Sequence, residues 1–152
     1  MPIADALSVV ARAPHGLLAL GIPGCAACML LPASLAEISR ARPGLTIAIG
    51  EFATVQDWAL REELLWPRGI HVSRSSVPAL ALLADGETIA SRPGGGPAAA
   101  IDAWLAAVLG PAAHPLGDDP TAGEQAALDA LGPRIAHHRS VKSWRNPGLG
   151  GV

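Results

Sequence analysis

The sequence predicts a three-layer α/β domain, in which helices cover both faces of a central mixed sheet, followed by a C-terminal extension. Short apolar runs alternate with amphipathic segments over residues 1–110, which is typical of a sheet covered on both faces. A dipeptide typical of hairpin turns follows the last apolar run. Residues 1–110 are therefore expected to form one domain, and residues 111–152 a Pro- and Gly-rich appendage with one short helix and a basic end.

The first half of the chain predicts alternating helices and strands. Apolar residues three and four apart predict a helix over residues 2–12. Residues 17–22 and 45–49 are short apolar runs, and they predict two strands buried on both faces. Between them, residues 25–42 predict a long helix with a kink at Pro32, because proline has no N–H to donate to the preceding turn.

The second half predicts a helix, a hairpin and a final helix. Residues 56–65 have helical periodicity. Residues 79–83 are apolar and predict a strand, and Asp85-Gly86 predicts the turn through which residues 87–91 pair back as the next strand. Residues 98–109 predict the last amphipathic helix. Strands that alternate with helices and end in a hairpin favour a mixed sheet.

Cys25 and Cys28 are the only cysteines in 152 residues, and they lie at the start of the predicted long helix. Residues three apart share a helix face, so the two sulfurs can meet across one turn. The free N–H groups and the macrodipole of a helix N-terminus favour an anion, which lowers the pKa of the first thiol and produces a reactive thiolate. The pair therefore predicts reversible disulfide chemistry.

Other interpretations of this cysteine pair stay open from the sequence. The spacing can arise by chance, and the pair can also be a structural disulfide, although so short a loop restrains the unfolded chain little. A zinc or iron–sulfur site needs further ligands, which only a second copy of the chain could supply, because the five histidines have no suitable spacing. The favoured redox interpretation needs no metal and no organic cofactor.

Composition excludes some classes of protein and sets the expected location. The net charge of −2 argues against a nucleic-acid-binding protein, and the apolar runs are too short to span a bilayer. Residues 16–25 loosely resemble a secretion signal, but Asp5 lies where such a signal is positively charged. The chain is therefore expected in the cytoplasm, where a Cys-x-x-Cys pair stays reduced unless it is working.

Several motifs occur together in residues 2–110. They are the strand before Cys25-Ala26-Ala27-Cys28, the Val77-Pro78 pair before a strand, the Asp85-Gly86 hairpin and the glycine loop at residues 94–96. With these motifs, residues 2–110 resemble a thioredoxin-like domain. The resemblance implies a cis peptide bond at Pro78, beside the cysteines, and a Val77 backbone that pairs with bound substrate. It also implies that Gly24 and Gly95 border the substrate.

The sequence departs from thioredoxins proper at several positions. Thioredoxins carry Trp where this chain has Gly24, hold Gly-Pro between the cysteines, and bury an acidic residue in the preceding strand, where residues 17–22 have none. Glu51, after the second predicted strand, is the nearest candidate for a replacement proton acceptor. The alternative for Glu51 is a solvated loop residue.

Two functions are compared on this basis. The first is a thiol–disulfide oxidoreductase, in which Cys25 attacks a substrate disulfide and Cys28 resolves the mixed disulfide. Its partners would be a disulfide-containing protein substrate and an upstream thiol reductant. The second is a non-catalytic thioredoxin-like accessory or assembly module, which the missing Trp and the missing buried acid favour.

The C-terminal extension carries its own predictions. Thr121 and Glu124 form a capping-box pattern that predicts a short helix over residues 122–131. Residues 134–152 are basic, and Trp144 among them predicts docking on the domain or on a second copy, because burial of a large apolar ring is favourable. Self-association through the tail is therefore an expectation, and a solvated tail is the alternative.

Overall fold

The structure is a computed structural model, and it describes residues 1–117. The predictions made for the capping box at Thr121, the helix over residues 122–131 and the docking of Trp144 lie outside the described residues. Within residues 1–117, no helix has both the length and the apolar character needed to cross a membrane.

The described residues form four α-helices and four strands in the predicted order. The helices are α1 (Ile3–Ala11), α2 (Ala26–Ala41), α3 (Val55–Leu60) and α4 (Ala98–Leu109). The strands are β1 (His15–Gly21), β2 (Thr46–Glu51), β3 (Ala79–Ala84) and β4 (Glu87–Pro93). Both residues of the predicted turn between β3 and β4 have positive φ, 50° at Asp85 and 85° at Gly86, which suits a tight hairpin.

The four strands form one mixed sheet in the order β2-β1-β3-β4. β1 pairs with β2 in parallel, and β3 pairs with both β1 and β4 in antiparallel orientation. Every β1 residue after His15 is buried, because helices cover both faces of the sheet. The prediction of a mixed sheet in a three-layer fold is therefore confirmed.

Each face of the sheet has its own apolar cluster. Leu17 and Ala19 of β1 point to the face covered by α2 and α4. Leu18 and Leu20 point to the opposite face, which α1 covers together with residues around α3. Alternation along a single strand thus contributes to both cores.

A partly buried ion pair joins the C-terminal end of α2 to α4 on the first face. The Arg42 guanidinium donates from Nε to Asp102 Oδ1 at 2.8 Å and from Nη2 to the Gly110 carbonyl at 2.9 Å. Arg42 directly follows α2, Asp102 lies in α4 and Gly110 follows α4. The contact fixes α2 against α4 at the end of the sheet away from the cysteines.

The element bounds differ from the predicted ones in one instructive place, after α3. The predicted helix over residues 56–65 is α-helical only to Leu60, and a π-helical turn (Arg61–Leu65) and a 3₁₀ turn (Trp66–Arg68) follow. The irregular turns bring Leu65 into the core, fully buried, while the neighbouring Glu62 and Glu63 remain exposed. The α2 helix continues through Pro32, which is buried among the apolar residues of the first face.

Candidate redox site

Cys25 is the N-cap of α2, and Cys28 lies in its first turn. The Cys25 sulfur accepts a hydrogen bond from the Cys28 N–H at 3.1 Å, so it satisfies one of the N–H groups that a helix start leaves free. The two cysteines form a disulfide, with their Cα atoms 5.2 Å apart. The same geometry places the Cys25 sulfur in the field of the helix N-terminus, which favours a thiolate when the pair is reduced.

Two glycines before Cys25 shape the backbone that leads to the cysteine pair. Gly24 turns the chain at a φ of 76°, a conformation that residues with a side chain rarely adopt. Gly21, at the end of β1, lies beneath the pair, because a Cβ atom on this residue would stand 3.1 Å from the Cys28 sulfur. The close approach leaves no room there for a larger side chain.

Both cysteines are partly exposed. The sequence predicts a partly exposed Cys25 and a largely buried Cys28, because the helix turns the second sulfur inward. The prediction for Cys28 is wrong, since Cys28 is partly exposed like Cys25. The neighbouring residues Gly24, Ala26 and Ala27 are small and exposed within the part of the chain that the structure describes. The disulfide is therefore open to a substrate from the surface.

The Val77–Pro78 peptide bond is cis, the geometry that the resemblance implies. Pro78 is buried directly before β3, and Val77 is half-buried against the α1-side core. The Gly94 N–H donates to the Pro78 carbonyl at 2.6 Å, which ties the glycine loop to the proline.

Gly95 lies between α2 and Pro78. A Cβ atom on Gly95 would stand 2.8 Å from Leu31 Cδ2 and 3.3 Å from Pro78 Cγ. The neighbouring carbonyls are held as well, since Ser34 of α2 donates to the Gly96 carbonyl at 3.0 Å. The structure thus brings together α2, Pro78 and the glycine loop, whereas Gly24 stands apart in the open turn.

Glu51 is the last residue of β2, where a solvated loop residue was the alternative expectation. The β1–β2 ladder extends to the Gly21–Glu51 pair, so the carboxyl group is half-buried and lies on the strand next to the residue beneath Cys28. Burial raises the pKa of Glu51 above its usual range, and the nearby N-terminal ammonium of Met1 partly offsets the rise.

A cluster of aromatic and basic side chains beside the site was missed from the sequence. Phe52 and Trp58 stack with ring centroids 4.3 Å apart. The guanidinium carbons of Arg74 and Arg61 lie 4.8 Å and 5.2 Å from the Trp58 ring centroid. We call these four residues the Trp58 cluster. The sequence shows a basic residue, Arg74, three positions before Val77. It gives no indication that this side chain lies over the Trp58 ring.

The Trp58 cluster is tied to the strand that ends beneath the disulfide. The Phe52 N–H donates to the Gly21 carbonyl at 2.9 Å. This bond holds the Phe52 backbone beside the C-terminal end of β1. Among residues 1–117, no three His, Cys, Asp or Glu side chains gather in a way that could hold a metal ion.

Two solved thioredoxins are similar to this structure in fold. The structure is similar to thioredoxin f2 of Chlamydomonas reinhardtii, with a TM-score of 0.55 and 14% sequence identity, over 73% of this chain and 95% of that chain. It is also similar to a Plasmodium falciparum thioredoxin, with a TM-score of 0.51 and 14% identity, over 70% of this chain and 94% of that chain. No family model matches the sequence. No curated protein matches it either. The fold is therefore thioredoxin-like and divergent in sequence.

Proposed function

We propose that the protein is a thiol–disulfide oxidoreductase that uses the Cys25–Cys28 pair. The observation that carries the proposal is the cysteine pair at the N-terminus of α2, with one sulfur capping the helix and both residues partly exposed. The thioredoxin-like fold supports thiol–disulfide exchange in general. The fold places the glycine loop and Pro78 against the same helix.

The reaction begins with the reduced pair. The Cys25 thiolate attacks one sulfur of a substrate disulfide, forms a mixed disulfide and releases the other substrate sulfur as a thiolate. Cys28 then loses its proton and attacks the Cys25 sulfur. This step closes the Cys25–Cys28 disulfide and releases the second substrate thiolate. Two electrons pass to the substrate, whose two thiolates take up two protons.

The substrate and the reductant are parts of the proposal. We take the substrate to be a disulfide-containing protein, because the Val77 backbone before Pro78 can pair with an extended segment that flanks the target disulfide. An upstream thiol reductant returns the oxidised pair to the dithiol by the same exchange in reverse. A cytoplasmic location belongs to this proposal, since thiol reductants are kept reduced there.

The test is a single-turnover assay with the pre-reduced protein and a peptide that contains one disulfide. Wild type is expected to reduce the peptide, and Cys25→Ser is expected to fall to the rate without protein, because an alcohol does not replace the thiolate. Cys28→Ser should accumulate a mixed disulfide with the peptide, visible by mass spectrometry. Ala27→Ser is the matched control, since it adds a hydroxyl in the same exposed turn and leaves both sulfurs in place.

A second candidate is a thioredoxin-like accessory or assembly module. The observation that favours it is the wholly apolar interior of β1, which offers no carboxyl group beneath the cysteines. The same assay separates the two functions. A wild-type protein that fails to reduce any disulfide peptide, or a Cys25→Ser variant as fast as wild type, contradicts the oxidoreductase and supports the module.

A further inference from the structure

We propose that Arg74 and Arg61, held on the Trp58 ring, form a subsite for a carboxylate side chain of the protein substrate, close to its target disulfide. The inference rests on the proposed oxidoreductase function and adds a substrate class to it: acidic segments are preferred over neutral and basic ones. Four observations on the Trp58 cluster support it.

The first observation is that the ring which carries the two cations is fixed. Phe52 is buried and stacks on Trp58 with an interplanar angle of 17°, which holds the indole in one orientation. Arg74 and Arg61 both lie within contact range of this one ring. The two guanidinium groups are therefore positioned before any ligand arrives.

The second observation is that the donors of these arginines are largely unused. Within residues 1–117, Arg61 donates one side-chain hydrogen bond, from Nη1 to the Val72 carbonyl at 3.1 Å, and its buried Nε has no hydrogen-bond partner there. In the part of the chain that the structure describes, Arg74 has neither a hydrogen bond nor an ion pair, and its side chain is exposed. Arg42, in contrast, donates to both the Asp102 carboxylate and the Gly110 carbonyl.

The third observation is that the nearby acids do not neutralise the pair. The Asp57 carboxylate accepts hydrogen bonds from the Ala53 and Thr54 N–H groups, so it caps α3. Within residues 1–117 it forms no ion pair with either arginine. Glu62 and Glu63 are exposed and form no ion pair with either arginine within residues 1–117. Two like charges against one ring repel each other, and an anion between them relieves that repulsion.

The fourth observation is the position of the cluster relative to the cysteines. Arg74 lies three residues before Val77, the residue whose backbone is proposed to pair with substrate. Trp58, Val77 and Ile22 pack against the same apolar core. Because an extended segment advances about 3.3 Å per residue, a substrate segment that pairs with the Val77 backbone passes the turn that carries Arg74 within a few residues.

The chemistry favours a carboxylate on a protein. A stacked guanidinium keeps its N–H groups free in its own plane, and this fork matches a carboxylate in a two-point hydrogen-bonded pair. The alternative anion, a nucleic-acid phosphate, suits the chain less well, because the net charge of the whole sequence is −2. Phosphate is therefore an outcome of the test rather than the ligand proposed.

The experiment uses three disulfide peptides that differ only in the residues two and three positions from the cysteines, which are Glu, Gln or Lys. The second-order rate of reduction by the pre-reduced full-length protein is measured for each peptide. Wild type is expected to reduce the Glu peptide about five- to tenfold faster than the Lys peptide, as expected for a charge-assisted contact. The preference should shrink in high salt.

The variants assign the preference to the cluster. Arg74→Gln should bring the Glu-to-Lys ratio close to one, and Arg74→Lys should keep part of the preference. Arg12→Gln is the matched control, because it removes one positive charge, as Arg74→Gln does. Arg12 is exposed just after α1, at the opposite end of the sheet from the cysteines. The control variant should behave as wild type.

The outcomes separate this inference from the proposed function. If no peptide is reduced, the oxidoreductase proposal itself fails. If all three peptides are reduced at equal rates by wild type, the function stands and the carboxylate subsite is overturned. A loss of rate in Arg74→Gln that is equal for all peptides also overturns it, since that pattern indicates a structural role. Inhibition by inorganic phosphate that matches inhibition by free glutamate would show an unselective anion site instead.

Discussion

The two faces of the sheet are built in different ways, and the difference separates chemistry from recognition. On one face, α2 and α4 pack against β1 through a largely aliphatic cluster, and this face positions the cysteines. On the other, α1 packs beside α3, which carries Trp58, and the irregular turns after it carry the two arginines of the Trp58 cluster. Regular helices hold the reactive sulfurs at a fixed place. Irregular turns present charged groups whose identity can differ without disturbing the helix that carries the sulfurs.

The largest effect is expected from a cavity on the aliphatic face. Leu35 of α2 is fully buried, and Leu35→Ala should lower the free energy of unfolding by about 2–5 kcal/mol, because truncation loses apolar burial and leaves a void. Leu30→Ala in the same helix is the matched control. Leu30 is 67% exposed, so its truncation should change stability by less than about 0.5 kcal/mol.

Denaturant unfolding of the oxidised protein measures both variants. Equal losses for Leu35→Ala and Leu30→Ala would contradict the distinction between the buried and the open side of α2. The Glu-to-Lys peptide ratio of Leu35→Ala should remain that of wild type, because Leu35 packs on the face opposite the Trp58 cluster.

A smaller loss is expected where the glycine loop meets Pro78. Gly95→Ala would place a methyl group 2.8 Å from Leu31 Cδ2, and overpacking of this kind costs about 1–3 kcal/mol. Gly44→Ala is the control, because a Cβ there meets nothing within 4 Å and the backbone is not in the left-handed region. It should be neutral or slightly stabilising. Thermal melting of both variants tests the prediction. An unchanged melting temperature for Gly95→Ala would contradict it, because the loop would then accommodate the methyl group without loss of stability.

Much of the fold follows from local patterns in the sequence. Apolar runs such as the one in β1 predicted the buried strands, and Asp85-Gly86 predicted the hairpin, because both signals depend on neighbouring residues. The N-terminal position of Cys25 on a helix follows in the same way from the segment around it. These features need no knowledge of distant contacts.

The features that sequence patterns missed depend on contacts between distant residues. The π-helical turn at Arg61–Leu65 and the stacking of Arg74 on Trp58 arise from packing between segments that no local periodicity relates. The strand position of Glu51 depends on its partner Gly21, thirty residues earlier, because the parallel ladder extends β2 to that point. The exposure of Cys28 likewise depends on what packs around it.

The smallest effect is expected at Glu51, where β2 reaches the site. Because burial raises the pKa of this carboxyl group in the folded state, ionised Glu51 destabilises the fold relative to its protonated form. Stability is therefore lost as the pH rises from the ordinary glutamate pKa of about 4.3 through the raised value, and the loss persists above it. Glu51→Gln removes this cost, so the variant should gain stability over wild type between pH 4 and pH 7.

The comparison is made by denaturant unfolding at both pH values, with Glu62→Gln as the control that removes an exposed carboxylate. A difference between Glu51→Gln and wild type that is the same at pH 4 and pH 7 would contradict the burial argument. The disulfide-reduction assay then tests whether Glu51 also accepts a proton during catalysis. A proton acceptor would give Glu51→Gln a pH–rate profile shifted from that of wild type, whereas a residue that only terminates β2 would leave the profile in place and change the stability alone.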